Sequence, residues 1–153
     1  MRQEAACGAR TARNTWCVVA GHWPGFSFGG NGPTDVLIDE LLPILNDAGV
    51  HAYLSGHDHN MQHIQQRARG LPHFFVNGGG GYDLHDELKE AVGPEIRRQQ
   101  DRLAIGRAKH VAYGFTAVEA TEGRLRVALM AAPPGGDGAA RAVTTVDIHW
   151  GDE

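Results

Sequence analysis

The chain has 153 residues, 42% of them hydrophobic and 21% charged, with a formal net charge of -4 and a pI near 6.1. These values fit one globular domain or a part of one. They exclude an electrostatic nucleic-acid binder, because an acidic chain offers no field for a phosphate backbone, and no segment approaches the roughly 20 apolar residues of a membrane span.

Met1-Arg2-Gln3-Glu4 is followed by no hydrophobic run of the signal-peptide kind. Two cysteines, Cys7 and Cys17, make no disulfide framework, and Cys17 reads as a small buried apolar residue inside a strand from Thr15 to Ala20. Gly21 to Gly32 is a long loop whose Trp23, Phe26 and Phe28 are expected to pack beneath it rather than rim a pocket. From Pro33 or Thr34 to Ala48, the positions Val36, Leu37, Leu41, Leu45 and Ala48 recur at helical spacing. Pro43 removes a backbone donor from that helix and should kink it, and Gly49 is a typical stop.

Val50 to Ser55 is the next strand, followed by the glycine- and histidine-rich stretch from Gly56 to Asn60. Met61 to Gln66 and His73 to Asn77 form a hairpin turning around Gly70. Gly78 to Gly81 either lets the backbone approach a ligand closely or flexes. Asp83 to Arg107, with Pro94 inside it, reads as one or two surface helices flanked by loop. Tyr113 to Ala120, Leu125 to Met130 and Val143 to Trp150 close the chain as an antiparallel meander.

Gly56-His57-Asp58-His59-Asn60 carries the strongest chemical signal, because residues two apart in an extended segment project from one face. Imidazole is a common neutral ligand for zinc, iron and copper. His22 also follows a strand and a glycine, so two strand ends are expected to converge on one metal site where open α/β sheets bind ligands. Asp58, lying between its histidines, points away from them by alternation and reads as a structural or supporting group. The remaining histidines, His51, His63, His73, His85, His110 and His149, are single and read as satisfied core or surface imidazoles, with a reservation for His63, which shares a side with His59 if the strand is unbroken.

Taken in order, Val18-Val19-Ala20-Gly21-His22-Trp23-Pro24, Asn31-Gly32-Pro33-Thr34, Leu41-Leu42-Pro43 and Ala52 through Gln62 resemble the carboxyl-terminal half of a purple acid phosphatase of the tartrate-resistant, mammalian type, in the calcineurin-like metallophosphoesterase superfamily. The resemblance runs from about Thr15 to Gly81. It implies an α/β chain that forms the carboxyl-terminal half of a metallophosphoesterase αββα sandwich, with 1–14 a non-matching segment and 15–153 a partial domain. It implies a binuclear metal centre, Fe(III) with Fe(II), Zn or Mn, in which His22 and His57 hold the divalent ion and His59 the Fe(III). The family's other ligands lie on D-x-G, G-D-x-x-Y and GNHD motifs of the amino-terminal half, which find no counterpart here. Asn31 stands where relatives carry a histidine near the substrate; an amide is no general acid near neutral pH, so Asn31 is expected to bind phosphate instead.

The function so implied is acid phosphatase-type hydrolysis of phosphate monoesters by two metals, with this chain supplying only histidine ligands and nearly inactive alone. A phosphodiesterase of the same superfamily is one alternative, and a non-catalytic metal-binding remnant or truncated gene product another. Relatives are secreted or lysosomal, and no signal peptide is present in this chain. Without the other half, the strands Thr15 to Ala20 and Val50 to Ser55 are expected to lie exposed and to promote association through their edges.

Overall fold

The computed structural model describes residues 15–68, 72–85 and 93–151. The segment 1–14, the turn at Gly70, and residues 86–92 and 152–153 lie outside these residues. Short β-rich runs form the first sheet: β1 (Val18–Ala20), β2 (Ala52–Ser55), β3 (Met61–Gln66), β4 (His73–Asn77) and β5 (Ala104–His110). Its order is β1-β2-β4-β3-β5. β1, β2 and β4 run parallel, and β3 is antiparallel to both its neighbours. The three parallel strands therefore end on one edge, where the loops carrying His22, His57 and Gly78 begin.

Strand alternation sorts side chains onto two faces of this sheet. One face, with Tyr53, Ile64, Phe74 and Val76, packs beneath the helices against Ile38, Leu42 and Leu45. The other, with Ala52, Met61 and Phe75, meets Leu125, Val127, Leu129 and Ile148 of a second sheet. That sheet is the meander β6 (Gly114–Ala120), β7 (Arg124–Ala131) and β8 (Arg141–His149). Each fully buried large apolar side chain stabilises by about 1.5–3 kcal/mol, so the sandwich rests on Phe75, Met61, Leu125 and Leu129, all of which are buried.

The helix after the first loop continues through Pro43. A π-helical turn, Leu37–Leu41, precedes α1 (Leu42–Asp47), and the Leu42 N–H reaches back to the Leu37 carbonyl. A widened turn just ahead of a proline accommodates its missing donor and its ring without breaking the helix. At the other end Gly49 takes φ 65, its N–H bonds the Asn46 carbonyl, and the Val50 N–H bonds that of Leu45. This is the paired closure that a left-handed glycine cap provides.

Three sequence expectations need correction. Cys17 is buried, but it is disulfide-bonded rather than a plain apolar residue; the sequence's other cysteine, Cys7, lies outside the described residues. Asp83 to Arg107, of which 86–92 lie outside the described residues, is not only helix and loop: α2 (Pro94–Leu103) begins at its proline, and Ala104–His110 is an edge strand. The polar alternation of β5, with Arg107 and Lys109, is that of a charged sheet edge and hides a strand among surface residues. Finally, of the two strands expected to lie exposed, β1 is at an edge of its sheet, with Val18 37% exposed, while Val50, Ala52 and Tyr53 are buried between β1 and β4.

The single histidines His51 and His110 are satisfied as expected: the Cys17 N–H bonds His51 Nδ1, and His110 Nε2 meets the Thr144 hydroxyl. His63 and His73 form a buried pair, Nε2 to Nδ1 at 2.8 Å with rings 2° from parallel. Burial, then the neighbouring His73 and Arg107, push His63 down to about 4. Because the unfolded imidazole takes its proton near 6.5 and the folded one only near 4, the unfolded chain binds more protons in between. Stability is therefore full above about pH 6.5 and falls by roughly 1–3 kcal/mol as the pH drops to about 4. Urea unfolding at the two ends of that window measures the loss, and His63→Gln should flatten its His63-dependent part.

Candidate metal centre

The loops after β1 and β2 are stitched together by backbone. The Gly21 N–H bonds the Leu54 carbonyl at 2.9 Å and the Gly56 N–H bonds that of His22 at 3.0 Å, extending the parallel ladder past both strand ends. The histidines themselves are not on an extended strand. His57 has φ 66, and the Asp58 N–H turns back to the Gly56 carbonyl at 2.8 Å. An i to i+2 bond around a positive-φ residue is a γ-turn of the strained kind, and backbone strain of this sort concentrates at functional sites. The Asn60 N–H also bonds a carbonyl two residues back, that of Asp58, but around His59, whose φ is not positive.

A buried polar network holds that turn. Asp58, fully buried, accepts from the Asn31 N–H at 2.6 Å and from the Ser27 hydroxyl. The Ser27 oxygen receives the Gly29 N–H and Gln62 Nε2, so its own proton goes to Asp58. Gln62 accepts from the Phe28 N–H and donates to Asn60 Oδ1; Gln100 accepts from the Ser27 N–H. Asp58 thus serves as the supporting group its sequence position suggested. Asn31 Nδ2 donates to the His57 carbonyl at 3.2 Å, which places this residue on the histidine loop itself.

His22 and His57 face each other with ring centroids 5.3 Å apart. Trp23, 51% exposed, lies over His57 at 3.8 Å, while Phe26 and Phe28 pack inward as expected. His59 turns to a different neighbour: its ring lies 4.6 Å from His85 and 5.1 Å from the exposed Tyr82. Its Nδ1 meets the Asp83 carbonyl at 2.8 Å. His85, a single histidine in the sequence, has no spacing signal that links it to His59 across 26 positions. The string Asp47-Ala48-Gly49 spells D-x-G, yet it closes α1 at the opposite end of β2 from the histidines.

Among the described residues no group of three His, Cys, Asp or Glu side chains is assembled to hold a metal ion. The His22 and His57 pair offers two neutral nitrogens, a donor set suited to one borderline divalent cation. Hard Fe(III) prefers anionic oxygen, and the one carboxylate in the loop, Asp58, is committed to Ser27 and Asn31. The donors present fit part of a binuclear centre.

Gly78 brings the end of β4 against this loop. Its N–H bonds the Asn60 carbonyl at 3.1 Å, and a Cβ there would collide with the Asp58 carbonyl oxygen. The close approach that Gly78 makes is to the backbone of the Asp58 loop and not to the ligand expected of these glycines. Gly78→Ala should cost about 1–3 kcal/mol through overpacking against rigid backbone, whereas Gly80→Ala, with nothing within 4 Å, should change little. Thermal unfolding of both variants makes the comparison.

No family model matches the chain. It is 50% identical over 71 residues to human tartrate-resistant acid phosphatase type 5, which covers 46% of this chain and 21% of that protein. Purple acid phosphatase 7 of Arabidopsis thaliana is 42% identical over 71 residues, with the same coverage of each. The chain therefore spans about a fifth of these curated relatives. The fold is similar to that of yellow lupin purple acid phosphatase, with a TM-score of 0.57 at 17% identity over 88% of this chain and 25% of that one. It is also similar to the GAP50 anchor of the inner membrane complex of Plasmodium, with a TM-score of 0.66 at 21% identity over 88% of this chain and 36% of that one. These relatives and the sandwich together identify a partial chain of the purple acid phosphatase type, similar to the tartrate-resistant enzymes, with the fold of the metallophosphoesterases.

Proposed function

We propose that the chain contributes the histidine side of a two-metal acid phosphatase site that hydrolyses phosphate monoesters. The observation that carries this reading is the meeting of His22 and His57 at 5.3 Å on loops stitched to one another. A bound pair of metal ions would supply charge neutralisation of the phosphate and a water made acidic enough to attack. The chain's own residues hold and orient: His22 and His57 for a divalent ion such as Zn, Fe(II) or Mn, His59 for iron in the ferric state, and Asn31 facing the phosphate from the loop that also carries His22.

Residues 15–153 are read here as part of a metallophosphoesterase domain whose carboxylate and tyrosinate ligands come from elsewhere. The open strand β1, with exposed Val18, is the edge through which such a chain would associate. A non-catalytic reading has one observation in its favour: the same fold serves as an anchor in Plasmodium.

Two measurements separate these readings. The chain alone, supplied with Fe and Zn, should turn over p-nitrophenyl phosphate far below the ordinary enzymatic range of about 1–1,000 per second. Isothermal titration with Zn(II) should show binding at the His22 and His57 pair, weakened about tenfold or more, some 1.4 kcal/mol, by either His22→Ala or His57→Ala. Unchanged zinc binding in both variants would remove the metal reading; brisk turnover lost in His57→Ala would mean that this chain completes its own site.

A further inference from the structure

Four hydrogen bonds tie the segment Asp83 to His85 to the loop that carries His59. His59 Nδ1 meets the Asp83 carbonyl at 2.8 Å, and the His85 N–H donates to the His59 carbonyl at 3.2 Å. The His59 N–H donates to His85 Nε2 at 3.4 Å, and Asn60 Nδ2 donates to the His85 carbonyl at 3.1 Å. These bonds determine both tautomers. A carbonyl oxygen only accepts, so His59 Nδ1 carries the hydrogen and its lone pair resides on Nε2. A backbone N–H only donates, so His85 Nε2 accepts and the His85 hydrogen sits on Nδ1, which lies 3.9 Å from Asp58 Oδ1.

The two rings pack with centroids 4.6 Å apart, and Tyr82 closes the far side of His59 edge-on. His59 is thus gripped on both flanks, while its backbone and one ring nitrogen are bonded to the strap.

We propose that His85 is a positioning residue for His59: by strapping Asp83 to His85 onto the loop, it holds the His59 imidazole in the Nδ1–H tautomer with Nε2 available to a metal ion. The proposal rests on the reading of His59 as a ligand and adds a residue which that reading did not include. Ligating histidines generally donate their other nitrogen to a carbonyl or carboxylate, and loss of such support typically costs 10–100-fold in metal affinity.

Long-range 1H–15N spectroscopy of the histidine-labelled, metal-free chain reads the tautomers directly. The expected spectrum has His59 as Nδ1–H. His85→Ala should move it toward Nε2–H, and His85→Gln, whose amide oxygen accepts from the His59 N–H, should restore it. On titration with Zn(II), the response of His59 should weaken about 10–100-fold in His85→Ala, while those of His22 and His57 hold. An Nε2–H tautomer at His59 in the unaltered chain overturns the proposal, and that measurement stands alone should His85→Ala fail to fold. An unchanged His59 tautomer in a folded His85→Ala overturns it as well. A His59 whose tautomer depends on His85 but which ignores Zn(II) and Fe(III) upholds the strap and overturns the ligand reading instead.

Discussion

The buried carboxylate of Asp58 is the constraint on which the rest of the site depends. Two loops leave the sheet at the ends of β1 and β2, and only their first residues are held by the backbone ladder. Beyond that point the chain of the first loop is fastened to the second through Ser27 and Asn31, both bonded to Asp58. A carboxylate taken out of water is costly unless its lone pairs are used, and here each oxygen has a donor. The network extends through Ser27 to Gln62, Asn60 and Gln100, so β3 and α2 share in fixing the loop. Buried polar networks of this kind are stiff when complete and destabilising when broken.

The strain at His57 follows from the same tie. A non-glycine residue at φ 66 costs of order 1–3 kcal/mol, and it persists because Asp58 on one side and the Asn31 amide on the other hold its peptide groups. That turn swings the His57 ring toward His22 and beneath Trp23, and sends His59 toward His85. The loop therefore separates its two histidines onto different neighbours. A straight strand would have kept them side by side.

Much of this was legible in the sequence because it lies in short, strongly patterned runs. The parallel strands, the hairpin β3–β4 and the final meander follow from alternation and from glycine-bearing turns, and the cap at Gly49 behaved as such caps do. Each candidate ligand followed a strand end, which is where parallel sheets present their loops. What escaped was non-local or conformational. His85 reaches His59 only through tertiary folding, the γ-turn at His57 has no glycine to betray it, and no spacing signal marks the π-helical turn before Pro43. β5 was hidden because Arg107 and Lys109 make an edge strand look like any polar surface segment.

The central claim, that Asp58 brings His22 and His57 together, is tested most directly by Asp58→Asn, a nearly isosteric change that replaces one acceptor oxygen with a donor. Histidine-resolved 1H–15N spectra during Zn(II) titration should show His22 and His57 responding together in the unaltered chain. In Asp58→Asn that joint response should require about tenfold or more zinc, with the resonances of Phe75, Ile64 and Leu129 in the core unmoved. An identical joint response in both proteins would contradict the account, because the two histidines would then meet without the carboxylate that is held here to join their loops.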